Sequence, residues 1–346
     1  MSGEFDAHGI DVAVAGATGE VGRAMLAILA QRRLPVRRLH ALASSAGKPG
    51  RTVSFREREV PVAAVDDFDF GQVQLALFSM GGGPSKEHAP RAAEQGCLVI
   101  DNSSAFRQEE GVPLVVPEVN GELLAARPAR GIIANPNCST IQLLLALAPL
   151  RQAAGLEEVY VATYQAVSGA GRTAIDALER QAAAVLAGDD EDPHGVGFNV
   201  VPHIDVFEDG GFTKEEMKIV WESRKILDMP NLKVAATAAR VPVFNGHSEA
   251  VRVVTSRPLA AAAAREALAA APGVTVVDAR EAGGYPTARG HAAGADDVFV
   301  GRIRADLDQP NVLHLWVVAD NLRKGAALNA VQIAERLLAN GVLAAS

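Results

Sequence analysis

A glycine-rich turn between an apolar run and a helical pattern constrains the fold of this 346-residue chain more than any other feature. The apolar run Ile10–Ala15 is typical of a buried strand, and it leads directly into Gly16-Ala17-Thr18-Gly19-Glu20-Val21-Gly22. A helical pattern follows over Val21–Arg32, with Leu26 and Leu29 on one side. A strand, a tight glycine turn and a helix in this order indicate a dinucleotide-binding unit, in which a pyrophosphate lies on the helix N-terminus.

The rest of the N-terminal third continues this alternation of strand and helix. A helical stretch is predicted at Lys86–Gln95. Further strand-like apolar runs are Leu39–Ala43, Leu75–Phe78, Leu98–Asp101 and Ile132–Ala134. Near-continuous apolar strands with helices between them indicate a parallel sheet covered on both faces.

The pattern changes after residue 138, where apolar and polar residues alternate along longer strands. Such strands are predicted at Glu158–Gln165, Arg240–Thr255 and Val312–Ala319. Helices are predicted near Arg172–Ala187, Lys214–Leu227 and Ala260–Ala271, and a long loop at Gly188–Gly211. This alternation favours a second domain with a mostly antiparallel sheet.

We therefore predict an α/β protein with two domains. The first is a doubly wound, Rossmann-like dinucleotide-binding domain of residues 1–136 and 322–346, to which the last helix, Gly325–Ala339, returns. The second is an α+β catalytic and dimerisation domain of residues 137–321.

Composition excludes several classes of protein. A net charge of −8 argues against nucleic acid and anionic membranes as partners, since both require a basic face. Two cysteines do not make a disulfide framework or a metal cluster. Met1–Gly9 is polar and leaves no room for a signal peptide, and no run approaches the roughly 18 to 20 apolar residues of a membrane span. We expect a globular cytoplasmic protein without a metal.

Charges near the glycine turn favour NADP as the dinucleotide. An NAD site usually carries an acidic residue about 20 positions after the turn. No acidic residue lies between Glu20 and Glu57. Cations lie there instead, among them Arg32, Arg33, Arg37, Arg38, Lys48 and Arg51. Two alternatives remain, a glycine turn that binds nothing and arginines that only solvate a helix end.

Cys138 is the candidate nucleophile. It lies in Asn135-Pro136-Asn137-Cys138-Ser139-Thr140, directly before the apolar helical run 141–147. A thiolate at a helix N-terminus is stabilised by the helix dipole and by backbone N–H groups, which can also hold an oxyanion. The alternative is a buried, inert thiol, which is the interpretation that we prefer for Cys97.

Four further segments place polar side chains beside turns. They are Tyr164–Gly171, Arg240–Glu249, the capping-box segment Thr213–Glu216 and the strand exit Asp101–Arg107. From the residues alone, Glu215 and Lys218 at i, i+3 can equally be a surface ion pair. His247 can equally be structural, and Arg107 a loop cap.

Together and in this order, these segments resemble the aspartate-β-semialdehyde dehydrogenase family over essentially the whole chain. The matching stretches are residues 16–22, 135–140, 164–169, 199–204, 245–249, 300–304 and 320–327. The cysteine and histidine segments are specific to this family, whereas the glycine turn is not. The resemblance implies reductive dephosphorylation of L-aspartyl-4-phosphate to L-aspartate-4-semialdehyde with NADPH, for lysine, methionine and threonine biosynthesis, by a homodimer or homotetramer.

The resemblance also implies a role for each matching residue. Cys138 forms a thioester, His247 moves the proton, and Gln165 orients the substrate. Arg240 binds the α-carboxylate and Glu215 the α-ammonium group. The phosphate is held by Arg107, Asn137 and Lys218. The cofactor is contacted by Gly16, Thr18, Gly19, Glu20, Val21, Ser44, Ser45, Ser168, Gly169 and Asn321.

One loop departs from the family pattern. The family's phosphate-discriminating loop reads Leu-Ala-Ser-x-Arg-Ser-Ala-Gly-Lys, and here Leu42–Lys48 is two residues shorter and lacks the arginine. Ser44 and Ser45 still offer hydroxyl donors, and Arg38 or Lys48 can replace the charge. We expect NADP affinity to be weaker than the family norm.

Two other hypotheses stay open. An N-acetyl-γ-glutamyl-phosphate reductase would share the mechanism, but its Gly-Cys-Tyr-Pro-type turn is absent, and its acetylated amine needs no Glu215. A non-catalytic paralogue acting as a binding or assembly protein would be expected to lose the nucleophile. The presence of Cys138, Gln165, Arg240 and His247 together counts against it.

Overall fold

The computed structural model describes residues 5–44, 50–189 and 192–344. The strands are β1 (Ile10–Ala15), β2 (Val36–Ala43), β3 (Thr52–Phe55), β4 (Arg58–Ala64), β5 (Leu75–Phe78), β6 (Leu98–Asp101), β7 (Ile132–Ala134), β8 (Glu158–Gln165), β9 (Lys233–Arg240), β10 (His247–Val254), β11 (Val274–Val276), β12 (Val298–Ala305) and β13 (Val312–Ala319). The α-helices are α1 (Glu20–Gln31), α2 (Gly82–Glu94), α3 (Pro117–Asn120), α4 (Cys138–Ala154), α5 (Arg172–Ala187), α6 (Lys214–Ile226), α7 (Ala261–Ala269) and α8 (Leu328–Ala339). None of the helices in these ranges is long and apolar enough to cross a membrane.

The fold divides into two compact units. One contains the chain up to Pro136 and from Ala326 onward, and the other is Asn137–Gly325. The sequence placed the return to the first domain at residue 322, four residues earlier. Residues 322–325 stay with the second unit because Asp320 holds them: its side chain accepts the N–H groups of Leu322 and Arg323, and its carbonyl accepts that of Gly325.

The first unit is built on a seven-stranded sheet in the order β3-β4-β2-β1-β5-β6-β7. Every strand pairing is parallel except the β3–β4 hairpin. All six residues of the central strand β1 are buried, as expected of a strand covered on both faces. Helices α1 and α8 contribute to the same apolar core, so the last helix packs in the first unit.

The sequence pattern missed the β3–β4 hairpin. Its two turn residues, Arg56 and Glu57, both have positive φ (47° and 64°), a conformation usually signalled by glycine or asparagine. The Arg56 guanidinium lies over the Phe55 ring, at 5.2 Å from the centroid, and donates to the Leu34 carbonyl oxygen at 2.7 Å. A local stacking contact and a hydrogen bond to the distant Leu34 therefore stabilise a turn that its own sequence does not favour.

The second unit is built on a six-stranded sheet in the order β11-β12-β13-β10-β8-β9. The three inner pairings are antiparallel and the two outer ones are parallel, so the sheet is mostly antiparallel, as predicted. Val159, Val161, Thr163 and Gln165 alternate along β8 as its buried side. Helix α4 packs on this sheet against β10, β12 and β13.

The prediction of one continuous strand over Arg240–Thr255 was wrong. Strand β9 ends at Arg240 and β10 starts at His247. Pro242 has no N–H to donate to a ladder, and Gly246 has a φ of 93°, which an extended strand does not accommodate. The break places Arg240 and His247 at the ends of two different strands.

Candidate active site

Three predicted site residues meet at one end of the second sheet because of strand topology. Gln165 ends β8 and pairs in register with Arg240, which ends the parallel strand β9. On the other side of β8, Tyr164 faces Ser248 of the antiparallel strand β10, so His247 opens β10 beside Gln165. The strand ends thus bring together an amide, a guanidinium and an imidazole from distant parts of the sequence.

Cys138 is the first residue of α4, and Asn137 is the cap of that helix. The Asn137 Oδ1 accepts the N–H groups of Ser139 and Thr140 at 3.0 and 3.3 Å. The cap therefore engages two of the N–H groups at the helix start, and the expectation that this helix start holds an oxyanion stays a prediction. Cys138 is only partly buried, between the buried residues Asn137 and Ser139. The sulfur-bearing residue is therefore the accessible position in a rigidly capped first turn.

Cys97 is not a second nucleophile. It is fully buried in the first unit, and burial raises the pKa of its thiol to about 12. A neutral thiol at physiological pH is a poor nucleophile, so the interpretation of Cys97 as inert is supported.

Glu215 is the centre of a buried hydrogen-bond network. Its Oε1 accepts from Asn137 Nδ2 at 2.9 Å and from Gln165 Nε2 at 3.0 Å, and its Oε2 accepts from Lys218 Nζ at 3.0 Å. Burial acts to raise the pKa of Glu215, but the Lys218 charge and these three donors outweigh it and hold the pKa below its usual range. Glu215 is 6% exposed and ionised, so it is not part of a surface ion pair.

Lys218 contacts a second carboxylate that sequence reasoning missed. Its Nζ lies 2.7 Å from Asp205 Oδ2. Burial acts to lower the pKa of Lys218, but Glu215 and Asp205 together raise it above its usual value. Asp205 lies in the loop before α6 and has a φ of 69°. Its separation of 13 residues from Lys218 corresponds to no helix or strand period, so no sequence signal marked it.

His247 is almost fully buried and electrically neutral. Its Nδ1 accepts the backbone N–H of Ala166 at 3.0 Å, which places the ring proton of the neutral imidazole on Nε2. Burial, together with the nearby Arg240 charge, lowers the pKa of His247 to about 3. At physiological pH this side chain can donate a hydrogen bond from Nε2, and it cannot accept a proton at Nδ1 without losing the Ala166 bond.

Arg240 lies beside the same group of residues. Its Nη1 donates to the Ala166 carbonyl oxygen at 2.7 Å. Burial lowers the pKa of Arg240, and the charges of Cys138 and Glu215 oppose that effect. A Cβ at Gly169 would lie 3.5 Å from His247 Nε2 and 3.6 Å from Arg240 Nη1. The bare Gly169 backbone therefore borders a space onto which both side chains open.

Ser168 and Asn321 bind each other. Asn321 Nδ2 donates to Ser168 Oγ at 2.9 Å, and Asn321 Oδ1 accepts the Gly246 N–H at 2.9 Å. Both side chains are buried. They hold the turn immediately before His247, and their predicted contact with the cofactor stays a prediction.

Three other residues support the site and were not singled out from the sequence. Glu222 accepts the Asn137 backbone N–H at 2.6 Å, and Ser139 Oγ accepts from Gln165 Nε2. A Cβ at Gly325 would lie only 2.8 Å from the Cys138 Cβ, so glycine is required for that close approach. Each contact links segments far apart in sequence, which a local pattern does not reveal.

The glycine turn of the first unit fits a dinucleotide phosphate. Gly16 has a φ of 86°. A Cβ at Gly22 would lie 2.1 Å from the Gly16 carbonyl oxygen, so α1 can start this close to the turn only because residue 22 is glycine. The cap of α1 is Gly19, with no side-chain hydrogen bond, and a Cβ there would meet only the Gly16 oxygen, at 3.5 Å. A pyrophosphate requires a helix start without a side-chain cap, where no side chain blocks its approach to the backbone, and α1 has this arrangement.

The remaining cofactor candidates of this unit lie around that turn. Thr18, Glu20 and Val21 are partly exposed at the start of α1, Ser44 is exposed directly after β2, and Ser45 lies outside the described residues. Among the cations proposed for the 2′-phosphate, Arg32 pairs with Glu335 and Arg37 with Asp11, and Lys48 lies outside the described residues.

Arg107 belongs to the first unit, whereas Cys138 belongs to the second. It is buried on the loop after β6, and its Nη2 donates to the Asn102 carbonyl oxygen at 3.0 Å. Asp101, which ends β6, accepts hydroxyl hydrogen bonds from Ser85 and Ser103 and anchors this loop. Arg107 thus braces its own loop, and its phosphate role stays a prediction.

Comparison with known proteins agrees with this arrangement. The family description "Semialdehyde dehydrogenase, NAD binding domain" matches residues 11–127, and "Semialdehyde dehydrogenase, dimerisation domain" matches residues 147–324. An aspartate-semialdehyde dehydrogenase of Legionella pneumophila is 53% identical over 332 residues, which cover 95% of each chain. One from Bacillus subtilis (strain 168) is 48% identical over 342 residues, covering 95% of this chain and 98% of the relative.

Solved structures give the same result. The crystal structure of aspartate semialdehyde dehydrogenase II from Vibrio cholerae matches with a TM-score of 0.92 and 48% identity, covering 96% of this chain and 99% of that one. A second structure of that protein, complexed with ASA, matches equally well. Sequence, domain content and fold therefore agree that this chain is an enzyme of the aspartate-semialdehyde dehydrogenase family.

Proposed function

We propose that this enzyme reduces L-aspartyl-4-phosphate to L-aspartate-4-semialdehyde with NADPH, through a thioester on Cys138. The observation that carries the proposal is the carboxylate of Glu215, which is joined by hydrogen bonds to the Asn137 cap and to Gln165. An ionised carboxylate beside the nucleophile's helix suits a substrate with a free ammonium group. An N-acetylated substrate has no such group, which disfavours N-acetyl-γ-glutamyl phosphate.

Cys138 carries out the first step. Its thiolate attacks the acyl carbon of the substrate, the carbon–sulfur bond forms, and phosphate leaves to give the thioester. The α4 dipole favours the thiolate at this position, and the neighbouring Arg240 adds positive charge. The first-turn N–H groups of Ser139 and Thr140 are engaged by Asn137, so the transient oxyanion is stabilised by other donors.

His247 serves the second step. The bound nicotinamide supplies the hydride that reduces the thioester carbonyl. The Nε2–H of His247 donates to the oxygen that becomes negatively charged, since Nδ1 is occupied by the Ala166 N–H. When that oxygen re-forms its carbonyl bond, the carbon–sulfur bond breaks, the Cys138 thiolate is restored, and the semialdehyde is released.

The charged residues hold the substrate in place. Glu215 pairs with the α-ammonium group, and the Arg240 guanidinium forms two hydrogen bonds to the α-carboxylate. Gln165, locked between Ser139 and Glu215, orients the acyl group. Lys218 binds the phosphate; Arg107 and Asn137 are proposed to assist it.

NADP is our proposed cofactor. The glycine turn of the first unit fits a dinucleotide, no carboxylate lies between Glu20 and Glu57, and Arg38 is exposed on β2. We expect the enzyme to use NADP better than NAD and Arg38→Ala to reduce that preference. A homodimer or homotetramer is proposed from the dimerisation-domain match. A cytoplasmic location stays a prediction.

One assay tests this function. Phosphate-dependent reduction of NADP by aspartate semialdehyde is measured for the wild type and for Cys138→Ala, and then repeated with N-acetylglutamate semialdehyde and with NAD. We expect turnover of aspartate semialdehyde only, lost in Cys138→Ala. Undiminished turnover by the alanine variant, or preference for the acetylated substrate, would refute the proposal. No turnover of either substrate by the wild type would favour a non-catalytic paralogue.

A further inference from the structure

Glu249 is a carboxyl group inside the second unit that the proposed chemistry does not use. Its exposed fraction is 0%. It lies two residues after His247 on β10, so the two side chains share one face of the sheet. Neither of its carboxyl oxygens has a partner at hydrogen-bonding geometry among the described residues, although the Gln142 amide lies near enough to act on the pKa of the carboxyl. A buried polar group of this kind requires a physical explanation.

Its polar neighbours are also incompletely hydrogen bonded. Thr163 lies directly opposite Glu249 on β8, and its hydroxyl has no partner within the described part of the chain. On the other side of β10, the residue opposite is the apolar Val317. Glu249 is therefore covered by strands that offer one hydroxyl and no charge.

Gln142 is the third member of this cluster and links it to the site. It lies one helical turn after Cys138 on α4, and the helix packs on β10. Its Nε2 donates to the His247 carbonyl oxygen at 3.5 Å, while its Oε1 has no partner in the described residues. Gln142 thus contacts the backbone of the proton-transfer residue from the helix of the nucleophile.

The missing hydrogen bonds are explained if Glu249 carries a proton. Burial raises the pKa of Glu249 well above its usual value and outweighs the opposing effect of the Gln142 amide. A protonated carboxyl group has one O–H to donate and still accepts hydrogen bonds. The unpartnered oxygens of Thr163 and Gln142 are suitable acceptors for that proton.

We propose that Glu249, as a neutral acid, is a positioning residue: with Gln142 and Thr163 it forms a buried hydrogen-bonded cluster that holds the strand end carrying His247 against the helix that begins at Cys138. The inference rests on the proposed roles of Cys138 and His247. Glu249 acts only through these residues and does not contact the substrate.

Two substitutions separate this role from an ionic or a space-filling one. Glu249→Gln keeps the shape and the polar atoms of the neutral acid, and we expect its kcat to stay close to that of the wild type. Glu249→Met keeps similar volume without a hydrogen-bonding group. We expect its kcat to fall roughly ten- to a hundredfold at unchanged KM, since misplacement by about 1 Å costs about that much.

The outcomes are distinct. A wild-type kcat in Glu249→Met overturns the proposal. A kcat in Glu249→Gln that is reduced as strongly as in Glu249→Met also overturns it, because the enzyme would then need the ionised form of Glu249. If the methionine variant does not fold, Thr163→Val replaces it: reduced kcat supports the cluster, and wild-type kcat overturns it.

An infrared measurement tests the protonation without any substrate. The wild type at neutral pH should show the C=O stretching band of a protonated carboxylic acid, and Glu249→Gln should lack it. Absence of the band in the wild type overturns the inference. Because this readout needs no turnover, failure of the inference is distinguishable from failure of the proposed function, which the Cys138→Ala assay decides.

Discussion

Substituting alanine for Gly325 should displace Cys138, the proposed nucleophile, without replacing any charged group of the site. The added Cβ would lie 2.8 Å from the Cys138 Cβ and 3.3 Å from its Cα, whereas ordinary contact begins at 3.4 Å. The two Cβ atoms must separate by 3.4 − 2.8, that is 0.6 Å or more. Neither atom can move by a side-chain rotation, so the backbone of the turn or the start of α4 must shift.

The size of the effect follows from that displacement. Misplacement by about 1 Å costs about a hundredfold in rate, so 0.6 Å should cost roughly tenfold in kcat. That factor corresponds to about 1.4 kcal/mol in activation free energy. Overpacking should also lower the free energy of unfolding by about 1–3 kcal/mol.

The assay is steady-state turnover of aspartate semialdehyde, with urea unfolding and the rate of Cys138 alkylation measured on the same samples. Gly121→Ala is the matched control, because its Cβ would meet only the Arg336 guanidinium, at 3.7 Å. We expect less than a twofold change for that variant. Wild-type kcat and alkylation rate in Gly325→Ala would refute the reasoning from steric contact.

Three further predictions concern the helix cap, the lysine and the buried acid. Thr213→Ala removes the capping box of α6 and should cost about 1 kcal/mol in urea unfolding, with Thr213→Ser restoring stability; an unchanged midpoint would contradict this. Asp205→Asn removes a negative charge 2.7 Å from Lys218 and should lower the KM for phosphate. At the 0.2–1 kcal/mol typical of part-exposed pairs the decrease is up to about fivefold, and a raised KM would show that Asp205 mainly positions the lysine. Glu249 is protonated when folded and ionises above 4.5 when unfolded, so its raised pKa lowers wild-type stability as pH rises above 4.5. The free energy of unfolding of Glu249→Gln should therefore rise relative to that of the wild type by about 1.4 kcal/mol for each pH unit up to the folded-state pKa. Parallel pH–stability curves for the two proteins would exclude the pKa shift of Glu249.

Local patterns in the sequence were sufficient for much of the fold. Strand β1, its glycine turn and α1 follow from adjacent residues, and the bounds of β8 and α5 match the prediction because period and end signals are local. The β3–β4 hairpin could not be found in this way, since a hydrogen bond from Arg56 to the distant Leu34 carbonyl oxygen helps to stabilise its non-glycine turn. The break between Arg240 and His247 did have a local signal, because Arg240–Glu249 was expected to carry a turn, and the continuous strand was wrongly drawn through it.

The residues of the candidate site likewise divide into those that a local sequence signal marks and those that no such signal marks. Cys138 was recognisable as a candidate because the features expected to activate it, a turn and a helix start, lie beside it in the sequence. Asp205, Glu222 and Gly325 were not recognisable, since each reaches the site through a contact with a distant segment. The proposed roles of Glu215 and Lys218 came from a family resemblance, and the residues alone allowed a surface pair.

The sequence by itself determined which chemical groups are present and where the chain turns, since helix starts, glycine turns and strand periods depend on neighbouring residues. Only the tertiary structure decided the charge that those groups carry. The low pKa of His247, the ionised Glu215 and the raised pKa of Glu249 depend on burial and on side chains brought from other segments. For this enzyme, a family resemblance in the sequence predicted the reaction, and packing set the protonation states of the residues proposed to perform it.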